Sequence, residues 1–214
     1  MLSKFPENCI NFIWFTDEKV VTVAPPINAQ NDCLYVASTT RKRDVSAERL
    51  LRTRQTFSHS VMVSVAISKL GCTELFFVEP GVKINGAYYR DVMLMQKLLP
   101  AIRQISGDFF VFQQDSAPAH RARDTVDLLR RETPEFIGPD LWPANSPDLN
   151  PVDYRIWGLI QERVYQTPIR DIHGLITFWA ELKQSIIDKA IDQWRSRLRA
   201  CVRAKGKHFE QLLN

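Results

Sequence analysis

Apolar and polar residues alternate along the first half of the chain in short β-type runs. Residues 11–16 (NFIWFT), 33–37 (CLYVA), 61–67 (VMVSVAI) and 74–79 (ELFFVE) are rich in β-branched and aromatic side chains and are bounded by Gly, Pro, Asn or charged clusters, so each predicts a strand. From Gly86 the period becomes helical: Tyr88, Val92, Met95, Leu98 and Leu99 recur on one face, and Pro100 disturbs the pattern. FFVFQQ (Phe109–Gln114) is too continuous for a half-exposed strand and reads as a buried central one. A helix at about 119–131, a short strand near 135–137 and three helical stretches near 151–165, 171–188 and 190–204 complete the pattern.

Between the last strand and those helices, Gly138–Pro151 carries four prolines (Pro139, Pro143, Pro147, Pro151) and predicts an ordered loop. Asn150-Pro151 is a helix start, with Asn as the cap and Pro in the first turn. Strands followed by strand–helix alternation predict one α/β domain spanning 1–214, with a central mixed sheet of about five strands and helices on both faces. Its expected appendages are a basic insertion at about 39–60 and C-terminal helices at about 151–214.

Composition narrows the function classes. In 214 residues no apolar run approaches the roughly 20 needed to cross a bilayer. The N-terminus has no secretory pattern, which predicts no leader. Cys9, Cys33, Cys72 and Cys201 form no CxxC pair, against a zinc site or disulfide framework and in keeping with a reducing compartment. The net charge of +4 hints at a polyanionic partner.

The candidate chemistry is acidic. Asp17 ends NFIWFT and Asp115 ends FFVFQQ, which delivers both to the C-terminal edge of the sheet, where open α/β sheets build sites. Asp153 lies early in the helix opened by Asn150-Pro151, on one face with Trp157, Ile160 and Val164. Three acids converging without a Cys or His cluster would make an all-oxygen site for Mg²⁺ or Mn²⁺. Taken singly each has an ordinary reading, as a turn residue or a partner of a helix N-terminus. Asp148 reads as turn chemistry, and Glu18 and Glu162 as solvated. His120 could reach a phosphate or orient water, or be an ordinary polar residue at a helix start. Asn145 and Ser146 would shape the loop beside the site.

Two basic clusters form a further layer. Arg41, Lys42, Arg43, Arg49, Arg52 and Arg54 lie between strands, and Arg195, Arg197, Arg199, Arg203, Lys205 and Lys207 lie near the C-terminus. Both suit phosphate contact, and both could be solvated faces. Ile191, Trp194, Leu198, Cys201 and Val202 form a helical stripe expected to dock on the core.

Together with their flanks, these residues carry a resemblance. FTDEK (Phe15–Lys19), QQDSAPAH (Gln113–His120), WPANSPDLNPVDYRIWG (Trp142–Gly158) and the tail CVRAKGKHFEQLL occur in the order found in the catalytic domain of mariner-type transposases. These are DDE/DDD enzymes of ribonuclease-H-like fold. Thirty-seven residues separate Asp115 from Asp153, within the range that family uses. Ser116 stands where many relatives have Asn, and Asn145 where many have Tyr.

The resemblance implies a triad of Asp17, Asp115 and Asp153 holding two Mg²⁺ or Mn²⁺ ions. It also implies DNA cleavage and strand transfer in cut-and-paste transposition, a nuclear location, and a homodimer joined through the basic loop. Family members also carry an N-terminal pair of helix-turn-helix modules. Because the first strand begins within a dozen residues of Met1, phosphate contact without base readout is the expectation for this chain. A catalytically silent DNA-binding or interaction module derived from such a core is the alternative.

Overall fold

The computed structural model describes residues 1, 4–22, 36, 40–45, 60–79, 81–144, 146–166, 172–206 and 208–213. Six strands form one sheet: β1 (Ile13–Thr22), β2 (Ser60–Ser68), β3 (Gly71–Cys72), β4 (Phe76–Val78), β5 (Val111–Gln113) and β6 (Glu135–Ile137). β1 lies at the centre, antiparallel to β2 and parallel to β5, and β6 continues the parallel half.

β3 and β4 both pair with the far edge of β2, so the sheet has the five strand positions expected, the outermost one broken in two. Cys72 faces Ile67 while Phe76 faces Ser64, so four steps on the edge oppose three on β2, which is a bulge. Thr73 closes it from both sides. Its amide donates to Ala66 O (3.0 Å), and its hydroxyl accepts from the Ala66 amide (3.0 Å). Thr73→Val keeps the shape but orphans that buried amide, and it should cost about 1–3 kcal/mol, read from the urea midpoint.

Alternation along the strands gives each face its own core. Ile13 and Phe15 of β1 join Val61, Val63, Val65 and Ile67 of β2 on one face. Trp14, Ala66, Phe112 and Phe136 occupy the other. The second face is covered by α1, a continuous helix wound as α over Gly86–Tyr88, as π over Tyr89–Leu98 and as α again over Leu99–Ser106, and by α2 (Arg123–Glu132). The first is covered by α3 and the C-terminal helices. α3 is π-wound over Val152–Ile156 and α over Trp157–Gln166, and α4 (Ile172–Ala180), α5 (Gln184–Asp192) and α6 (Trp194–Arg203) follow. Among the described residues no helix is long and apolar enough to cross a membrane.

Several expectations shift. In α1 the buried residues are Tyr89, Met93, Leu94, Leu98, Leu99 and Ile102, whereas Met95 is exposed. The π turns space inward positions more widely than the 3.6-residue period assumed, and their wider winding leaves the ring of Pro100 room inside the helix. The single helix expected over 171–188 is two, because Lys183 turns extended between α4 and α5. Trp179 Nε1 donates to Thr73 O (2.7 Å) and Gln184 Nε2 to Ser68 O (2.9 Å), so each helix is pinned to the sheet separately. α2 begins at Arg123 rather than near 119. β5 is only three residues long, with Phe109 half exposed and edge-on to Phe12. Val202 leaves the predicted stripe at 67% exposed, while Ile191, Trp194 and Leu198 are buried. The strand expected over 33–37 falls outside the described residues except for Val36, as does most of the 39–60 insertion.

Candidate active site

Asp17 does not end its strand. β1 runs five residues further because β2 is long enough to pair with it as far as Thr22. What ends near Asp17 is the pairing with β5: Phe15 is the last residue in register, opposite Gln113. The parallel register therefore brings Asp17 and Asp115 level with each other just beyond that last pair, where the two chains part. Thr16 Oγ1 donates to Gln113 O (2.8 Å) and ties the chains at this fork.

Asp153 reaches the same place from the helical layer. Asn150 caps α3 as predicted, its Oδ1 accepting from the Val152 amide (3.1 Å). Its Nδ2 donates across to Thr16 O (3.0 Å), so the helix start is fastened to the residue before Asp17. One turn into α3, Trp157 Nε1 donates to Asp17 Oδ2. Both linking residues are buried.

Asp17 and Asp153 act on each other directly, and the acidity of each is weakened. Burial, then the charges of Asp153 and Glu18, raise Asp17 to about 8, against a smaller lowering by the Trp157 bond. Burial raises Asp153 to about 6, partly offset by the bond from Asp17 and by the charge of Lys19. Both shifts favour the protonated form, so the pair keeps a proton to higher pH than a free carboxyl group does.

Asp115 sits beside this pair but is engaged elsewhere. Its Oδ1 accepts from the Ala117 amide (2.9 Å) and from His120 Nδ1. Burial would raise its pKa, yet the bond and charge of His120 and the Ala117 amide outweigh that and lower it. The other ring nitrogen, Nε2, lies 3.3 Å from Glu18 Oε2. Burial would depress His120, but the charge of Glu18 and the bonds to Asp115 and Glu18 lift it to about 10, so the ring is an imidazolium. Tyr89 stacks on it (centroids 4.0 Å apart), and Gln114 joins Tyr89 Oη (2.7 Å) to His120 O (2.9 Å).

Glu18 thus departs from expectation. Its side chain is 11% exposed and accepts from Ser64 Oγ (2.9 Å), its direct cross-strand neighbour. Ending the strand at Asp17 had hidden this, since only a strand that continues turns residue 18 to the face opposite Asp17. Tyr89 and Gln114 join the site as well; Gln114 lies within the QQDSAPAH segment, whereas no motif marks Tyr89. Glu162 is exposed and Asp148 lies in the 3₁₀ turn Pro147–Leu149, as expected. Ser146 donates to Ala144 O (3.2 Å) within the loop, and Asn145 lies outside the described residues.

The basic residues divide. Arg195 Nη1 donates to Phe5 O (2.7 Å), and Arg197 stacks on Tyr154 (3.9 Å) while bonding Asp148 O (3.0 Å), so both guanidinium groups serve the fold. Arg199 and Arg203 are exposed on α6, as are Arg41 and Arg43, the latter 3.7 Å from Asp44. Lys42 begins the 3₁₀ turn Lys42–Asp44, and Arg49, Arg52, Arg54 and Lys207 lie outside the described residues.

Among the described residues, no three acidic, His or Cys side chains stand together as a finished cation site. The donor set still suits a hard divalent ion: the buried Asp17 and the partly exposed Asp153, both of raised pKa, with the Asp115 carboxylate alongside, all of them oxygen donors.

The five-position mixed sheet, its layers of helices and the acids at the fork of the central strands make this a ribonuclease-H-like domain. In sequence the chain is similar to the transposases of the transposable elements Tc1, Tc3 and Tcb2. It is 27% identical over 214 residues to the Tc3 transposase of Caenorhabditis elegans, covering 95% of this chain and 60% of that protein. It is 30% identical over 122 residues to the Tcb2 transposase of Caenorhabditis briggsae, covering 55% and 43%. Its fold matches the Mos1 transposase paired-end complex with the left transposon end (TM-score 0.75, 22% identity, 95% of this chain and 58% of that one). It also matches the Mos1 catalytic domain solved with Raltegravir and Mn (TM-score 0.67, 20% identity, 95% and 88%). No family model matches. The chain spans about 60% of the length of the Tc3 transposase and less of the Tcb2 transposase.

Proposed function

We propose that this chain is a transposase catalytic domain that cuts DNA and joins the freed 3′ end to a target, with divalent ions held by Asp17, Asp115 and Asp153. The observation that carries the reading is the meeting of Asp17 and Asp153, which are far apart in sequence, at the fork beside Asp115, in a chain similar in sequence to transposases. The Mos1 domain was solved with Mg and with Mn, which supports the same cations here.

Bound there, such ions would polarise the scissile phosphate and lower the pKa of the attacking water or hydroxyl. The protein's part is to supply oxygens at fixed positions. The groups that would hold an ion are Asp17 once deprotonated, Asp153 on the first turn of α3, and Asp115 through Oδ2, while His120 keeps Oδ1. Asn150 and Trp157 hold the helix-borne acid against the strand-borne one. Exposed Arg41, Arg43, Arg199 and Arg203 offer phosphate contacts that carry no sequence information.

Finer features belong to the same reading: two ions rather than one, a homodimer joined through the 39–60 segment, and a nuclear location. The test is a nicking assay on supercoiled plasmid with the full chain. Open circles should form with Mg²⁺ or Mn²⁺ and not in EDTA. Nicking that survives EDTA, or persists in Asp115→Asn, overturns the assignment.

A further inference from the structure

We propose that Glu18 is a positioning residue for Asp115, acting through His120; this rests on the active-site reading above. Asp115 follows β5 in a segment without regular structure, so its carboxylate has little local backbone to aim it. The aim comes from β1 and β2. Ser64 Oγ donates to Glu18 Oε1 (2.9 Å), and Glu18 Oε2 pairs with His120 Nε2 (3.3 Å). The opposite ring nitrogen then holds Asp115 Oδ1. With Nδ1 on Asp115, Nε2 facing the Glu18 carboxylate and one face stacked on Tyr89, the imidazole is held in place from three sides. The two strands therefore dictate where Asp115 Oδ1 sits. No group among the described residues donates a hydrogen bond to Asp115 Oδ2, which is the oxygen left for an ion.

The arrangement works through shape, and this separates it from a simple effect of charge. In Glu18→Gln the amide oxygen still accepts from Ser64, and the amide nitrogen donates to His120 Nε2. A neutral ring then keeps its Nδ1 proton for Asp115. In Glu18→Ala the ring loses its anchor and Asp115 is free to turn.

Calorimetric titration of the full chain with Mn²⁺ alone, alongside thermal melts, decides it. Glu18→Ala should weaken Mn²⁺ by roughly 10- to 100-fold, the range for removing an outer-sphere partner, while Glu18→Gln stays near native. Native-like affinity in a folded Glu18→Ala overturns the proposal, and so does equal weakening in Gln and Ala. If Glu18→Ala does not fold, Ser64→Ala replaces it. That variant leaves every charge in place and should lower affinity in the same direction, and unchanged binding overturns the proposal. Asp115→Asn separates the two ideas. If it binds Mn²⁺ like the native chain, the active-site reading fails and takes this one with it. If it binds weakly while Glu18→Ala binds normally, only the role of Glu18 is lost.

Discussion

Asp17→Asn should abolish plasmid nicking, by roughly a thousandfold or more, and at the same time make the metal-free protein melt higher at pH 8. The two effects have one origin. The new carboxamide can still accept from Trp157 Nε1, so that hydrogen bond survives and only the charge that a cation needs is removed. In the native chain the folded pKa of Asp17 lies at about 8, above its ordinary 3.8, so folding takes up a proton across that interval. The favourable contribution is complete below pH 3.8 and is lost as the pH rises through 8. With 1.36 kcal/mol per pKa unit, and a discount for the proton shared with Asp153, the native penalty at pH 8 is roughly 3 kcal/mol. For a chain of this size that is about 6–12 °C in melting temperature. His120, raised to about 10, acts in the same direction, since its contribution is complete below pH 6.5 and lost through pH 10. Melts in EDTA at pH 4 and pH 8 check the account: the advantage of the variant should appear at pH 8 and vanish at pH 4. An advantage equal at both pH values would mean that charge is not its source.

Asn150→Ala should cost roughly 3 kcal/mol and disable the site without touching an acid. The side chain is buried and does two things at once, capping α3 at the Val152 amide and fastening it to Thr16 O. Losing the cap costs about 1 kcal/mol, and leaving the buried carbonyl of Thr16 without its donor costs about 1–3 more. Asn150→Asp tells the two apart. It retains the cap acceptor, cannot donate to Thr16, and adds a negative charge next to Asp17 and Asp153. It should therefore be no better than Ala at pH 8, despite being a good capping residue. Urea midpoints for the three proteins give the energies. If Asn150→Asp matches the native stability, the bond to Thr16 contributes little.

Much of this protein was legible from residue order alone. Strand β2, the strand at Glu135–Ile137 and the cap at Asn150 need only alternation and capping chemistry, which are local. The three aspartates stood out as candidates as well, Asp17 and Asp115 because an acid after an apolar run is conspicuous and all three because their flanks resemble a known family in order. Other features were decided only by contacts between distant segments. Whether β1 stops at Asp17 depends on the length of β2, its partner far along the chain, and on that extension hangs the burial of Glu18. The break between α4 and α5 has no glycine or proline to announce it, and comes from two separate anchors on the sheet. The inward face of α1 follows π winding, which a 3.6-residue period cannot foresee. The union of Glu18, His120 and Asp115 joins a strand, a turn and a loop whose side chains meet only when the sheet closes. Local propensity and periodicity reach as far as a few turns or one strand. The protonation of Asp17 and the aim of Asp115 are set by burial and by charges brought from elsewhere in the chain, which exist only in the folded state.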